Sequence, residues 1–260
     1  MATIDSIRFP RLKLGLLLFL AGMLGVVFLT VAVPLQNLGD TSLTLPSWLL
    51  LVVSITQSAL LVALVVWLGV SLAPKVGLSA PAFEAAATKQ SVAAALRPQL
   101  FPGFLGGLLG GFGLFAIGGY ASPAEIADVG QSFTVPLLAR VLYGGITEEL
   151  ILRWGLMTVL VWIAWRVLQG RQGTPQIGYI WFAIVVSAVL FGAAHLPAAI
   201  VQFGQLTADV AVFVVGANTV FGVLFGYLFW RYGLEAAMIA HAFAHVVSHV
   251  VGHVVGLVAA

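Results

Sequence analysis

The chain has no cysteine in 260 residues, which excludes disulfides and a thiol nucleophile. Charge is scarce as well. Only 8% of the residues are charged, against about 25% in an average soluble domain. In its place stand 61% hydrophobic residues and a mean hydropathy of +1.11. This balance describes an integral membrane protein. The net charge of +2 forms no basic patch, because most Lys and Arg lie near the ends of apolar runs, so nucleic acid is not a partner. The two halves of the chain show no visible repeat, which weighs against a transporter built from inverted halves.

The apolar runs predict an all-α, polytopic bundle of seven to eight transmembrane spans, forming a single membrane domain over residues 1–260. Leu14–Val33 is long enough to cross the hydrocarbon core, and it lacks a small-residue cleavage site, so it is expected to remain as the first span. Trp48–Leu72 and Phe101–Tyr120 follow, separated by a polar stretch, 73–100, expected to be a loop with an Ala-rich interfacial helix. Residues 134–168 exceed one span and are interrupted by Gly144-Gly145, where a break is expected, with Thr147 capping a fresh helix. Tyr179–His195, residues 205–230 and Leu234–Val258 complete the set, the sixth with room for a kink. Glycines every fourth residue from Gly103 to Gly111, and again at Gly222 and Gly226, predict close helix packing. Trp48, Trp181 and Trp230 suit the interfacial belt.

Basic residues fall in 1–13, 73–100, 166–171 and at 231, while 34–45, 121–133 and 196–206 have none. By the positive-inside rule the N-terminus is cytoplasmic, and the cell membrane is the expected location. One difficulty follows from this arrangement. On straight helices Glu148 lies about 27 Å from Arg166 and His241 only about 15 Å from Arg231, so the two would not be level.

Within the apolar background, Glu148, Glu149 and Arg153 stand out, followed by His195, His241, His245, His249 and His253. An ionised group at bilayer depth is costly and marks a protein interior or wet cavity with partners. Glu149 and Arg153 are four apart and can pair on one helical face, leaving Glu148, turned about 100° away, for a wet cavity. His195 ends a helix before Pro197. His241 and His245 share a face, whereas the drift of about 40° per step of four carries His253 about 120° round, so one narrow site should not hold all four histidines of that helix. His249 and His253 are read as pore-lining, interfacial or structural, Arg140 as a structural or interfacial charge, and Asp209, Asn218 and Glu235 as structural. A carboxylate with two or three imidazoles can activate water and stabilise an oxyanion. The same set could hold zinc with an open position, or relay protons through a transporter or channel.

The ordered set Glu148-Glu149-x-x-x-Arg153, Phe191-x-x-x-His195 and His241-x-x-x-His245 resembles the type II CAAX prenyl endopeptidases, in the wider CAAX protease and bacteriocin-processing (ABI) family of intramembrane proteases. The similarity covers about residues 135–250. It implies an intramembrane endopeptidase that cuts a hydrophobic or lipidated protein or peptide at the membrane, prenylated CAAX proteins being the family's named case. It implies that Glu148 and His195 activate the hydrolytic water and that His241 supports the oxyanion. The family's last motif usually ends in Asn or Asp, and here His245 takes that place. Glu149, Arg153 and Phe191 would support the site. No cofactor is required by this set, and if zinc were used its ligands would be Glu148, His195 and His241. An inactive scaffold or immunity protein is a further alternative.

Overall fold

A computed structural model describes residues 10–33, 46–123, 135–203 and 206–259. The described residues are helical, without strands, and seven helical stretches are long and apolar enough to cross a membrane. The protein is an integral membrane helical bundle. The helices are α1 (Arg11–Ala32), α2 (Ser47–Leu72), α3 (Pro81–Thr88), α4 (Val92–Tyr120), α5 (Leu137–Val167), α6 (Ile177–Ala194), α7 (Leu196–Phe203), α8 (Ala208–Tyr232) and α9 (Leu234–Ala259). Asp40, Glu125 and Asp128 lie outside the described residues.

Several expected boundaries shift. The third span begins near Val92, not Phe101, because Ser91 Oγ accepts the Ala94 N–H and starts the helix ahead of Arg97. The polar stretch before it holds a short 3₁₀ turn, Ala73–Val76, and α3. The helix α8 is continuous over Ala208–Tyr232. Leu196 begins α7 directly after His195, with Pro197 in the first turn, where its missing N–H has no helical partner to lose.

Packing is organised around α9. One side of it lies along α4, where glycines let the backbones approach. A Cβ on Gly107 would sit 2.6 Å from Phe243 Cβ and 3.0 Å from Ala240 O. The first half of α5 and the end of α8 flank α9, while α1 and α2 back α5. The pair α6 and α8 is equally close, since a Cβ on Gly222 would lie 2.8 Å from Ala188 Cβ.

Polar contacts close the end that carries the basic residues. Glu235 Oε1 accepts the Phe83 N–H at 2.9 Å, Gln99 Oε1 accepts the Ala236 N–H at 3.0 Å, and Leu234 N donates to Ser79 O at 3.1 Å. Lys13 Nζ donates to Ala86 O and Ala87 O. These bonds set the height of α9. They also resolve the mismatch between Glu148 and His241. The segment Thr158–Val167 already packs beside Ala73–Val76, so α5 reaches the level of Leu234 before it reaches Arg166.

Replacing Gly107 by Leu should wedge α4 from α9 and cost about 1–3 kcal/mol, as overpacking a close contact does. Gly118, with nothing within 4 Å of its absent Cβ, should accept Ala with little change. Thermal unfolding of both variants in detergent checks the difference.

Candidate active site

The centre of α5 is not broken at Gly144-Gly145. The helix runs through in wide π-turns, over Arg140–Glu148 and again over Leu150–Met157. Such i→i+5 turns are rare and gather at functional sites. Thr147 is not a cap: it is fully buried, and its Oγ1 donates to Gly22 O of α1 at 2.7 Å. The two glycines serve as a seat for α9. A Cβ on Gly144 would lie 2.9 Å from His245 Nε2 and 3.2 Å from His241 Nε2, and one on Gly145 would lie 2.6 Å from Ala242 Cβ.

Wide turns also bring neighbouring side chains closer in direction than the 100° of an α-helix. Glu148 and Glu149 therefore reach the two nitrogens of one imidazole. Glu149 Oε1 lies 2.8 Å from His241 Nδ1, and Glu148 Oε2 lies 3.9 Å from His241 Nε2. The two acids differ in surroundings: the Glu149 side chain is 0% exposed and that of Glu148 is 19% exposed. Buried beside Glu149 is Arg153, its Nε 3.3 Å from Glu149 Oε2 and its NH2 group donating to Gly222 O at 3.2 Å. The guanidinium carbon stands 5.2 Å from the Phe191 ring and 5.9 Å from the Phe225 ring, within cation–π range.

Those two rings also hold the imidazoles. Phe225 stacks on His241 at 4.5 Å, and Phe191 meets His195 edge-on at 4.7 Å. His195 Nδ1 is 2.9 Å from Phe191 O. A carbonyl only accepts, so Nδ1 carries the hydrogen, and in the neutral ring Nε2 carries the lone pair. By the same logic His241 Nδ1 gives its hydrogen to the Glu149 carboxylate, which leaves Nε2 as the working nitrogen. His245 lies one turn further along α9, with its ring 5.0 Å from that of His241.

Glu148, His195, His241, His245 and Phe191 all border one cleft of about 1090 Å³. Glu149 and Arg153 lie behind it. The cleft is broader than the helical drift of α9 suggests, and His249 and His253 border it too. The site is not a narrow one: all four histidines of α9 line this broad cleft. Arg140, Asn218 and Ser248 also line the cleft. Arg140 does not pair with the carboxylates; its NH2 group lies 3.5 Å from His249 Nδ1. Asn218 Nδ2 donates to Val214 O within its own helix, so its Oδ1 is the end that remains for the cleft. The sequence alone reads Asn218 as structural and does not raise Ser248, since a lone amide or hydroxyl in a span is ordinarily satisfied by its own backbone.

Among the described residues no three His, Asp or Glu side chains converge at the spacing of metal ligands. His241 Nδ1 is committed to Glu149, and Glu148 Oε2 stands 3.9 Å from His241 Nε2.

A membrane-embedded helical bundle with an acid–imidazole cleft is the class this fold and site define. Residues 130–247 match the model of the type II CAAX prenyl endopeptidase Rce1-like family, which supports membership of the CAAX protease family. No curated protein and no solved structure matches the chain.

Glu149→Gln should leave Arg153 as an uncompensated buried charge and destabilise the protein by about 3–5 kcal/mol. The double variant Glu149→Gln with Arg153→Met should recover part of that loss. Thermal unfolding of the single and double variants checks both.

Proposed function

We propose that the protein is an intramembrane endopeptidase that hydrolyses a peptide bond in a membrane-associated protein or peptide with a glutamate-activated water and no metal. The observation that carries this reading is the single cleft holding Glu148, His195, His241 and His245, with Glu148 the only one of the two adjacent acids that reaches it.

The chemistry follows from the atoms. Glu148 accepts a proton from a water held between its carboxylate and His195 Nε2, and the water oxygen bonds to the scissile carbonyl carbon. The carbonyl oxygen becomes an oxyanion. His241 Nε2, protonated, donates to it, with His245 as a second donor in the position where the family usually has an amide or carboxylate. The protonated Glu148 then gives its proton to the leaving nitrogen as the C–N bond breaks. Glu149 fixes the His241 tautomer and offsets the charge of its imidazolium, and Arg153 holds Glu149 in turn. A proton-relay channel would need a polar path through the bundle. Instead Phe191 and Phe225 floor the cleft, and the fully buried Trp154 lies in the core of the bundle.

The charge asymmetry supports an N-terminus in the cytoplasm, and the cell membrane is the location that goes with this reading. The basic residues outside the span centres gather at the end marked by Lys13, Lys89, Arg171 and Arg231. The cleft is lined at the other end, by Leu29, Thr30 and Val33 at the end of α1, Pro136 and Leu137 at the start of α5, and His249, Gly252 and His253 of α9. Its mouth therefore faces away from the cytoplasm, and the substrate enters from that side, among lipids, with its apolar part against the bilayer.

Two measurements test this reading. Glu148→Gln and His195→Ala should each lower cleavage of a fluorogenic apolar peptide, prenylated or not, by roughly 10²- to 10⁴-fold with an unchanged unfolding midpoint; full activity in either variant refutes the roles given. For access, the absence of native cysteine makes single replacements informative. His253→Cys should react with a membrane-impermeant maleimide in intact cells, and Lys89→Cys only after permeabilisation. The reverse pattern would place the mouth in the cytoplasm.

A further inference from the structure

Asn218 and Ser248 both border the cleft, and the hydrolysis proposed there uses neither. Their place follows from the turn at Gly233. Phe225 lies eight residues before that turn and His241 eight after it, and their rings stack at 4.5 Å. Asn218 lies fifteen residues before the turn and Ser248 fifteen after it. On the antiparallel helices α8 and α9 the two therefore stand level, one on each helix, about 10 Å beyond the Phe225–His241 stack. Asn218, Phe221 and Phe225 follow at steps of three and four, and so share the face of α8 that borders the cleft.

The free atoms of the pair are complementary. Asn218 Nδ2 is used on Val214 O at 2.8 Å, and Oδ1 can only accept. Ser248 Oγ has no hydrogen-bond partner among the described residues. The Thr30 and Thr219 hydroxyls, by contrast, donate to carbonyls of their own helices. Ser248 thus keeps a donor for the cleft. An amide and a hydroxyl do not titrate near neutral pH, so they are poor groups for proton transfer. They are good partners for a peptide main chain, whose N–H and C=O groups must be satisfied when water is left behind. A trans peptide unit points its N–H one way and its C=O the other. One unit lying between the two helices can donate to Asn218 Oδ1 and accept from Ser248 Oγ. A helical segment cannot, because its main-chain groups already serve each other.

An extended peptide advances about 3.3–3.6 Å per residue, so about 10 Å is about three residues. We propose that Asn218 and Ser248 clamp one peptide unit of the substrate main chain, about three residues from the scissile bond, and admit the chain there only in extended form. This rests on the proteolytic reading of the same cleft. The clamp reads main chain, so it selects for an unwound segment and not for a particular side chain.

The test measures binding, so that it stands apart from cleavage. The full-length Glu148→Gln protein in detergent is titrated with a dye-labelled apolar peptide and with analogues in which one amide at a time is replaced by an ester, which removes a single N–H. One analogue should bind roughly three- to tenfold more weakly than the parent, as a neutral hydrogen bond warrants. Its ester should fall about three residues from the bond that the wild-type protein cuts. Asn218→Leu in the same background should weaken the all-amide peptide by a similar factor and abolish the penalty of that one ester. Ser248→Ala should also weaken the all-amide peptide. The clamp is overturned if no ester weakens binding, if the sensitive ester lies more than four residues from the cut, or if Asn218→Leu weakens every analogue equally. The ester series alone decides the first two points should Asn218→Leu fail to fold. If the wild-type protein cleaves none of these peptides yet the ester and Asn218→Leu effects coincide, the proteolytic reading fails and the main-chain site stands.

Discussion

A buried charge chain, Arg153 ion-paired with Glu149 and Glu149 hydrogen-bonded to His241, sets the terms for everything around it. None of its members can be left alone in an apolar interior, because an uncompensated charge there costs several kcal/mol. Each therefore fixes the next. Arg153 is held by the Gly222 carbonyl of α8 and by the faces of Phe191 and Phe225. Glu149 spends one oxygen on Arg153 and the other on His241. Three elements, α5, α8 and α9, are locked at one height by two side-chain contacts. The imidazole that faces the cleft has its tautomer chosen by an acid that never meets solvent.

The shape of α5 makes this possible. In a regular α-helix, adjacent glutamates diverge too far to serve one ring. The π-turns narrow that divergence, and the paired glycines beneath the histidines let α9 come close enough for the ring to lie between the acids. Wide turns are a poorer use of backbone hydrogen bonding than α-turns, and the surrounding packing holds them in place. The Thr147 hydroxyl bonds α1, and Thr158 Oγ1 donates back to Arg153 O at 3.2 Å. Stability given up in the helix reappears as position in the cleft, where activity needs groups held to fractions of an ångström.

Much of this was legible from the residues alone, and the reasons are physical. Apolar runs longer than the hydrocarbon core can only be spans, so the bundle followed from Leu14–Val33 onward with little ambiguity. Charges inside those runs had to be partnered, so Glu149–Arg153 could be paired by spacing, and Glu148 set apart. What spacing does not carry is helix type. Gly144-Gly145 reads as a break in one dimension, whereas the structure uses it as a contact between two helices. The height of α9 was hidden for a similar reason. It is set by Ser79, Phe83 and Gln99, residues distant in sequence whose bonds to Leu234, Glu235 and Ala236 have no local signature. The breadth of the cleft was missed because helical drift says where a side chain points, and nothing about how far away the opposite wall stands.

That last point bears on what a cleft of this kind selects. With five imidazoles and a guanidinium along it, the polar wall extends well past the reacting groups, towards the end of the bundle that bears no basic loop. The proposed hydrolysis needs only the part of the cleft where Phe191 and Phe225 pack against His195 and His241. The remaining length can discriminate among substrates without taking part in bond cleavage. Apolar surface on α1 and α7, at Leu29, Val33, Ala198 and Val201, faces the same space. On the proposed proteolytic reading, a fitting substrate offers an apolar segment and a polar end together. This is the combination a peptide presents when it is anchored in lipid near its terminus, and it is one that a soluble loop or a fully buried span lacks.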